Sequence, residues 1–314
     1  MTVARPVVLV TGANGFVGRH LVAMLAGEGW TVRCAQRTLT GNDNEVQIGT
    51  IGPDTDWRAA LGGIEAVVHL AARVHHPNEA DAAGLYRTIN TEGTLRLANC
   101  AAEAGVRRFI YLSTVLVNGA TTAGRGPFDE TGDLQPRGVY GLSKAAAETG
   151  LGSIAAKTGM PVTIIRPPLI YGAGAAGNFR LLARAVRAGV PLPFASINNR
   201  RAFLSVQNLS SFVARQLAAP GGKIETFLVA DREQVSTPEF VRQIARALGT
   251  SARLVPGPEP LLRWLLKWSG RAEAGDSLIG SLEVDTSRAL ATGWRPPLSQ
   301  AAGLRLALGL PHQD

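Results

Sequence analysis

Four apolar residues, Val7-Val8-Leu9-Val10, run directly into Thr11-Gly12-Ala13-Asn14-Gly15-Phe16-Val17-Gly18, and an amphipathic segment follows over residues 16–26. A buried strand, a turn with Gly-x-x-Gly-x-x-Gly spacing and a helix, in that order, leave few folds open. The first glycine permits a sharp turn, the second lets backbone approach a pyrophosphate, and the third lets helix pack on strand. The helix start offers unpaired N–H groups and the positive end of its dipole to the anion. In a chain with 36 glycines the spacing alone is weak, and its place between strand and helix supplies the specificity. Gly12, Asn14, Gly15, Phe16, Val17 and Gly18 therefore read as a dinucleotide-binding loop.

The same alternation continues. Residues 30–35, 66–70, 109–113 and 162–165 read as buried strands, and residues 91–104 and 142–156 as helices. Strands alternating with helices predict an α/β fold: a doubly wound parallel sheet covered on both faces. After Pro167 the pattern loosens, with Gly, Pro and Asn clustered in residues 172–178, 189–193 and 198–199. Phe227-Leu228-Val229 reads as a strand returning to the sheet, and helices near 238–248 and 259–268 as part of a smaller lobe. The expected division is a dinucleotide domain over 1–170, with a return segment near 203–232, and a mainly substrate-binding lobe over 171–314.

Composition narrows the function classes. With 46% apolar and 18% charged residues, 314 residues suit a well-buried globular chain. The net charge of +8 is scattered; Arg107-Arg108 and Arg200-Arg201 are the only basic doublets, which argues against nucleic acid and leaves room for an anionic small substrate. Cys34 and Cys100 have no metal-ligand spacing and fit a reduced, cytoplasmic setting, and no secretory leader is read at the N-terminus. No apolar run approaches the roughly 20 residues of a membrane span. The segment 261–268, rich in Leu and Trp, reads as a docked helix. His75-His76 lacks the Cys or carboxylate partners of a metal site, so no metal is expected.

The residue ending the second strand reads the ribose of the adenosine: an acid favours NAD, a base the 2′-phosphate of NADP. Here Gln36 stands in that place and Arg37 follows, with Arg19 just beyond the third glycine. These residues lean towards NADP(H) and leave NAD(H) open.

Tyr140 and Lys144 are four apart, on one face of a helix. A phenol is a poor acid–base group at neutral pH, and a nearby ammonium stabilises its phenolate. Ser113 and Thr114 end a strand about 26 residues earlier, where a doubly wound sheet places its ligands. Either hydroxyl could orient a reacting oxygen while Tyr140 moves its proton.

Thr11-Gly12-x-x-Gly15-x-x-Gly18, His69-Leu70-Ala71-Ala72, Asn90 with Gly93-Thr94, Leu112-Ser113-Thr114 and Tyr140-x-x-x-Lys144 resemble the extended short-chain dehydrogenase/reductase family. More particularly, the chain is similar to the nucleotide-sugar epimerase/dehydratase group. The likeness extends through Arg166 to Gly172, Gly177-Asn178-Phe179, Arg201 to Val206, Val284 to Ser287 and Gly293 to Pro296.

The resemblance implies that Tyr140 is the acid–base, Lys144 its partner and nicotinamide-ribose ligand, and Thr114 or Ser113 the substrate-orienting hydroxyl. It implies cofactor contacts from Leu70, Ala71, Ala72, Asn90 and Pro167, and hold of a substrate diphosphate by Asn178 and Arg201. The implied substrate is a nucleotide-sugar, UDP-linked, and relatives often pair as homodimers. Three positions depart from the group: Gln36 for an acid, Thr50 for an Asp and Leu169 for an Asn. An NADPH-dependent reduction of a UDP-4-keto-6-deoxy-N-acetylhexosamine, for surface-polysaccharide synthesis, is the first expectation. A UDP-hexose or UDP-N-acetylhexosamine 4-epimerase with tightly held NAD is the alternative, and a non-catalytic dinucleotide sensor a remote one.

Overall fold

The computed structural model describes residues 6–74, 79, 81–260, 262 and 278–311. His75, His76 and, Leu262 apart, the segment 261–268 lie outside the described residues. Seven strands form one sheet: β1 (Val7–Thr11), β2 (Thr31–Gln36), β3 (Glu45–Gln47), β4 (Ala66–His69), β5 (Arg108–Leu112), β6 (Val162–Arg166) and β9 (Ile224–Leu228). Their order is β3-β2-β1-β4-β5-β6-β9, while β7 (Leu169–Tyr171) and β8 (Phe203–Ser205) make a separate parallel pair. β1 pairs in parallel with β2 on one side and β4 on the other, so the strand order reverses at β1. In a doubly wound sheet the ligand crevice opens at that reversal, beyond the carboxyl ends of the strands.

The strands are continuously apolar because both faces are covered: Val8, Leu9, Val10, Val67, Val68, Phe109 and Ile110 are fully buried. On one side Trp57, Leu97, Leu151 and Ile164 share a cluster with Leu9 and Phe109. Helix α1 (Phe16–Gly27) follows β1 as expected. Helix α5 (Gly138–Thr158) starts four residues ahead of the expected 142, which puts Tyr140 in its first turn. The stretch expected as one helix over 91–104 begins earlier and is interrupted: α3 (Ala82–Tyr86) leads into π-helical turns over Arg87–Glu92 and then α4 (Gly93–Glu103). A π stretch inserts extra residues into a helix and is common at functional sites, and Asn90 lies in this one.

The chain forms two compact units. The first takes in the chain up to Val117, Asp133–Pro167 and Ser210–Phe227, and contains the glycine loop and α5. The second takes in Asn118–Gly132, Pro168–Leu209 and the chain from Leu228 on. Residues 118–132, placed in the first domain by the sequence reading, group with the second through backbone bonds to a distant segment. Thr122 donates to the carbonyl of Ser281, Phe128 to that of Glu283, and Asp285 to that of Phe128. The second unit carries α6 (Gly177–Arg187) and α8 (Thr237–Ala247), with Phe203 stacked on Phe240 at 3.8 Å between centroids. Among the described residues no helix is long and apolar enough to cross a membrane.

Candidate active site

The glycine loop is too tight for side chains. Gly12 has φ +70°, and a Cβ there would stand 2.9 Å from the backbone N of Ala71. A Cβ at Gly18 would stand 2.1 Å from the carbonyl O of Gly12, inside any contact distance. Gly15 is the N-cap of α1, whose first turn has neither a capping side chain nor an acidic residue. Asn14 and Gly15 are exposed, and Phe16 and Val17 partly so. An uncapped helix start behind an open glycine turn suits a pyrophosphate, so the residues present fit a dinucleotide. Leu70, Ala71 and Ala72, beyond the end of β4, are partly buried and form the facing wall.

A hydrogen-bond chain fixes that wall. The Ala71 N–H donates to Thr11 Oγ1 (3.3 Å), which lies 2.7 Å from His69 Nδ1. His69 Nε2 lies 2.9 Å from Thr94 Oγ1, which itself donates to the Asn90 carbonyl at 2.7 Å. Since Thr94 spends its proton on Asn90, His69 must donate through Nε2 and accept from Thr11 through Nδ1. Burial, with the Lys144 charge nearby, pushes His69 down to about 3, so it is a neutral strut. Asn90, fully buried, accepts from the Arg73 N–H (2.7 Å) and donates to the Arg73 carbonyl and to Ser143 Oγ, each at 3.1 Å. Its amide thereby ties the segment after β4 to α5.

On α5, Lys144 is buried and donates through Nζ to the Leu112 carbonyl at 2.8 Å, with the Tyr111 ring centroid 4.4 Å away and that of Tyr140 5.9 Å away. Tyr140 is partly buried and meets Tyr86 edge-on at 6.3 Å. Gly141 lets this turn sit against the chain after Thr114, since a Cβ there would stand 3.0 Å from the Leu116 carbonyl. Burial, then the Tyr86 phenol, pushes the Tyr140 phenol above its ordinary value. Burial pulls Lys144 down to about 7, and the Glu148 carboxylate opposes that pull.

Glu148 is a site residue that sequence reasoning missed. It lies one turn beyond Lys144, buried, and binds Arg166 of β6: Nε stands 3.1 Å from both carboxylate oxygens and Nη2 2.6 Å from Oε2. The Ser113 hydroxyl donates to the same carboxylate. Thr114 is buried too, but its Oγ1 accepts from the Leu116 N–H at 3.3 Å. Pro167, buried, accepts from the Val115 N–H at 3.0 Å.

The pattern of the NAD dependent epimerase/dehydratase family matches residues 8–230. The chain belongs to that family. It is an NAD(P)-dependent enzyme of the extended short-chain dehydrogenase/reductase type. A UDP-glucose 4-epimerase of Vibrio cholerae is 38% identical over 305 residues, 95% of this chain and 93% of that protein. A ceramide reductase of Caulobacter vibrioides is 29% identical, over 98% of this chain and 92% of that one. Among solved structures, the Thermus thermophilus UDP-glucose 4-epimerase in complex with NAD superposes with a TM-score of 0.77, at 23% identity, over 96% of this chain and 98% of that chain.

Two further features of this epimerase/dehydratase chain lie outside the Tyr140–Lys144 cluster. Gln36 is buried at the end of β2, and Arg37 is exposed. Gln36 Nε2 donates to Glu45 Oε1 of β3 at 3.3 Å. In the second unit, Asn178 is partly buried in the first turn of α6. Arg201 is buried there; its backbone pairs with Val235 and its Nη1 donates to the Gly280 carbonyl. Among the described residues no cluster of His, Cys, Asp and Glu could hold a metal ion.

Proposed function

We propose that this family member is a UDP-hexose or UDP-N-acetylhexosamine 4-epimerase, inverting the hydroxyl at C-4 of the sugar. The observation that carries the reading is the Tyr140, Lys144 and Thr114 arrangement at the carboxyl end of β5, in a chain similar over 95% of its length to a UDP-glucose 4-epimerase. Tyr140 takes the proton from the C-4 hydroxyl as the hydrogen on C-4 leaves with its electron pair, making a ketone. The bound nicotinamide supplies the acceptor for that hydride and its donor on return. Lys144 in its protonated form, with Nζ 5.9 Å from the Tyr140 ring centroid, would offset the burial that raises the phenol. Thr114 donates to the oxygen that carries negative charge in the transition state. Inversion requires the hydrogen to come back to the opposite face, so the sugar turns before the hydrogen returns. Tyr140 then returns its proton.

The second reading is a 4-ketoreductase consuming NADPH, favoured by Gln36 in place of an acid and by the exposed Arg37. Incubation with UDP-glucose and UDP-N-acetylglucosamine, followed by separation of the C-4 epimers, tests the first reading. Epimers forming without net change in nicotinamide absorbance support it. Net NADPH consumption with a UDP-4-keto-6-deoxy sugar and no epimerisation supports the second.

A further inference from the structure

We propose that Glu45 makes this enzyme select NAD(H) over NADP(H), its carboxylate standing beside Gln36 where a 2′-phosphate would have to lie. The inference rests on the reading of the glycine loop as a dinucleotide site. The side chain that ends β2 faces the adenosine ribose in this fold. Gln36 occupies that place, and its amide N–H points into Glu45 at 3.3 Å. The Gln36 carbonyl oxygen is then the atom left to accept from a ribose hydroxyl. Position 36 thereby acts as an acceptor backed by a full negative charge, which is the character an acid there would have had.

The turn after β2 is wrapped around that charge. Glu45 Oε2 accepts from the Thr40 N–H at 2.6 Å and the Gly41 N–H at 3.2 Å. Oε1 accepts from Asn42 Nδ2 at 3.0 Å and from the Thr40 hydroxyl. None of these donors is charged, so the carboxylate is fixed without being neutralised. The same hydrogen bonds hold it down at about 2, ionised throughout the working range. They also occupy the Thr40 and Gly41 N–H groups. Against this stand Arg37 and Arg19, both exposed, whose fields are screened by solvent and salt, as is that of the partly exposed Glu45. What sets the carboxylate apart from them is that it is held in place and bonded to Gln36, the residue that ends β2.

The test is direct binding, with no turnover in the readout. NADH and NADPH are titrated onto nucleotide-free protein, following the fluorescence of the reduced nicotinamide. Wild type binds NADH tighter by about tenfold or more, the scale of one like charge placed near a phosphate. Glu45→Gln, checked for an unchanged circular-dichroism spectrum, brings the two affinities to within about threefold. Arg37→Gln changes NADPH affinity by less than about twofold, as expected of a screened surface charge. Equal or tighter NADPH binding by wild type overturns the proposal, as does an unchanged ratio in folded Glu45→Gln. A selective tenfold loss of NADPH in Arg37→Gln also overturns it, and this exposed substitution serves if Glu45→Gln does not fold. A chain that binds neither dinucleotide sinks the site reading itself, whereas absent epimerisation with the ratio intact sinks only the 4-epimerase.

Discussion

Ser113 donates its hydroxyl to the Glu148 carboxylate, so of two adjacent hydroxyls at the end of β5 only Thr114 is left to serve a ligand. Among the described residues no acceptor takes the Thr114 proton, while its oxygen accepts from the Leu116 N–H. The two residues should therefore separate in kinetics. Thr114→Val lowers kcat by about a hundredfold, as loss of a transition-state donor does. Ser113→Ala costs roughly 1.5–3 kcal/mol of stability, the value of a hydrogen bond to a charged group, and leaves kcat within about threefold. Steady-state rates and thermal melts of both variants check this.

Removing one half of the buried ion pair should be costly. Arg166 and Glu148 side chains are only 6% and 5% exposed. Glu148→Gln leaves the guanidinium uncompensated and destabilises by about 3–5 kcal/mol, measured by urea unfolding. The double variant Glu148→Gln/Arg166→Met loses less than that single change.

Two glycines of α1 make a controlled comparison. Gly18→Ala forces a Cβ to within 2.1 Å of the Gly12 carbonyl and strains the loop by about 1–3 kcal/mol, which appears as weaker NADH binding. Gly27→Ala meets nothing within 4 Å and raises helix stability by roughly 0.5–1 kcal/mol with binding unchanged.

Asp231 imposes a pH dependence on the second unit. Its buried carboxylate accepts from Tyr171 (2.7 Å), Asn208 (2.7 Å) and the Ser205 N–H (3.0 Å), and burial raises it from 3.8 to about 6. The folded state binds this proton more tightly than the unfolded chain does. The resulting stability is fully present below pH 3.8 and is lost as pH rises through about 6, roughly 2–3 kcal/mol in all. Asp231→Asn removes the titration. Its melting temperature relative to wild type should climb between pH 4 and 7 and level off above that window, by scanning calorimetry.

The parts legible in the sequence are those written in contiguous residues. The glycine loop, the Tyr140–Lys144 spacing and the Ser113-Thr114 strand end are local patterns, and the strands of the sheet are apolar runs. What escaped depends on neighbours distant in the chain. Glu45 sits on a three-residue strand in a polar stretch, with no periodicity to mark it, and acts through Gln36 of the next strand. Glu148 looks like any helix-surface acid until β6 brings Arg166 beside it. The π-helical turns around Asn90 carry no signal because the helical pattern runs on through Arg87–Glu92. Residues 118–132 join the second unit through partners more than 150 positions away, a pairing no local pattern announces.

On the proposed 4-epimerase reading, Tyr140 handles only the proton on oxygen while the hydrogen on C-4 leaves and returns without meeting water. Running the UDP-sugar interconversion in heavy water and reading C-4 by mass spectrometry separates this route from exchange with solvent. The expected product is epimerised sugar with its original protium at C-4, and none is formed by Tyr140→Phe. Solvent deuterium appearing at C-4 would contradict it.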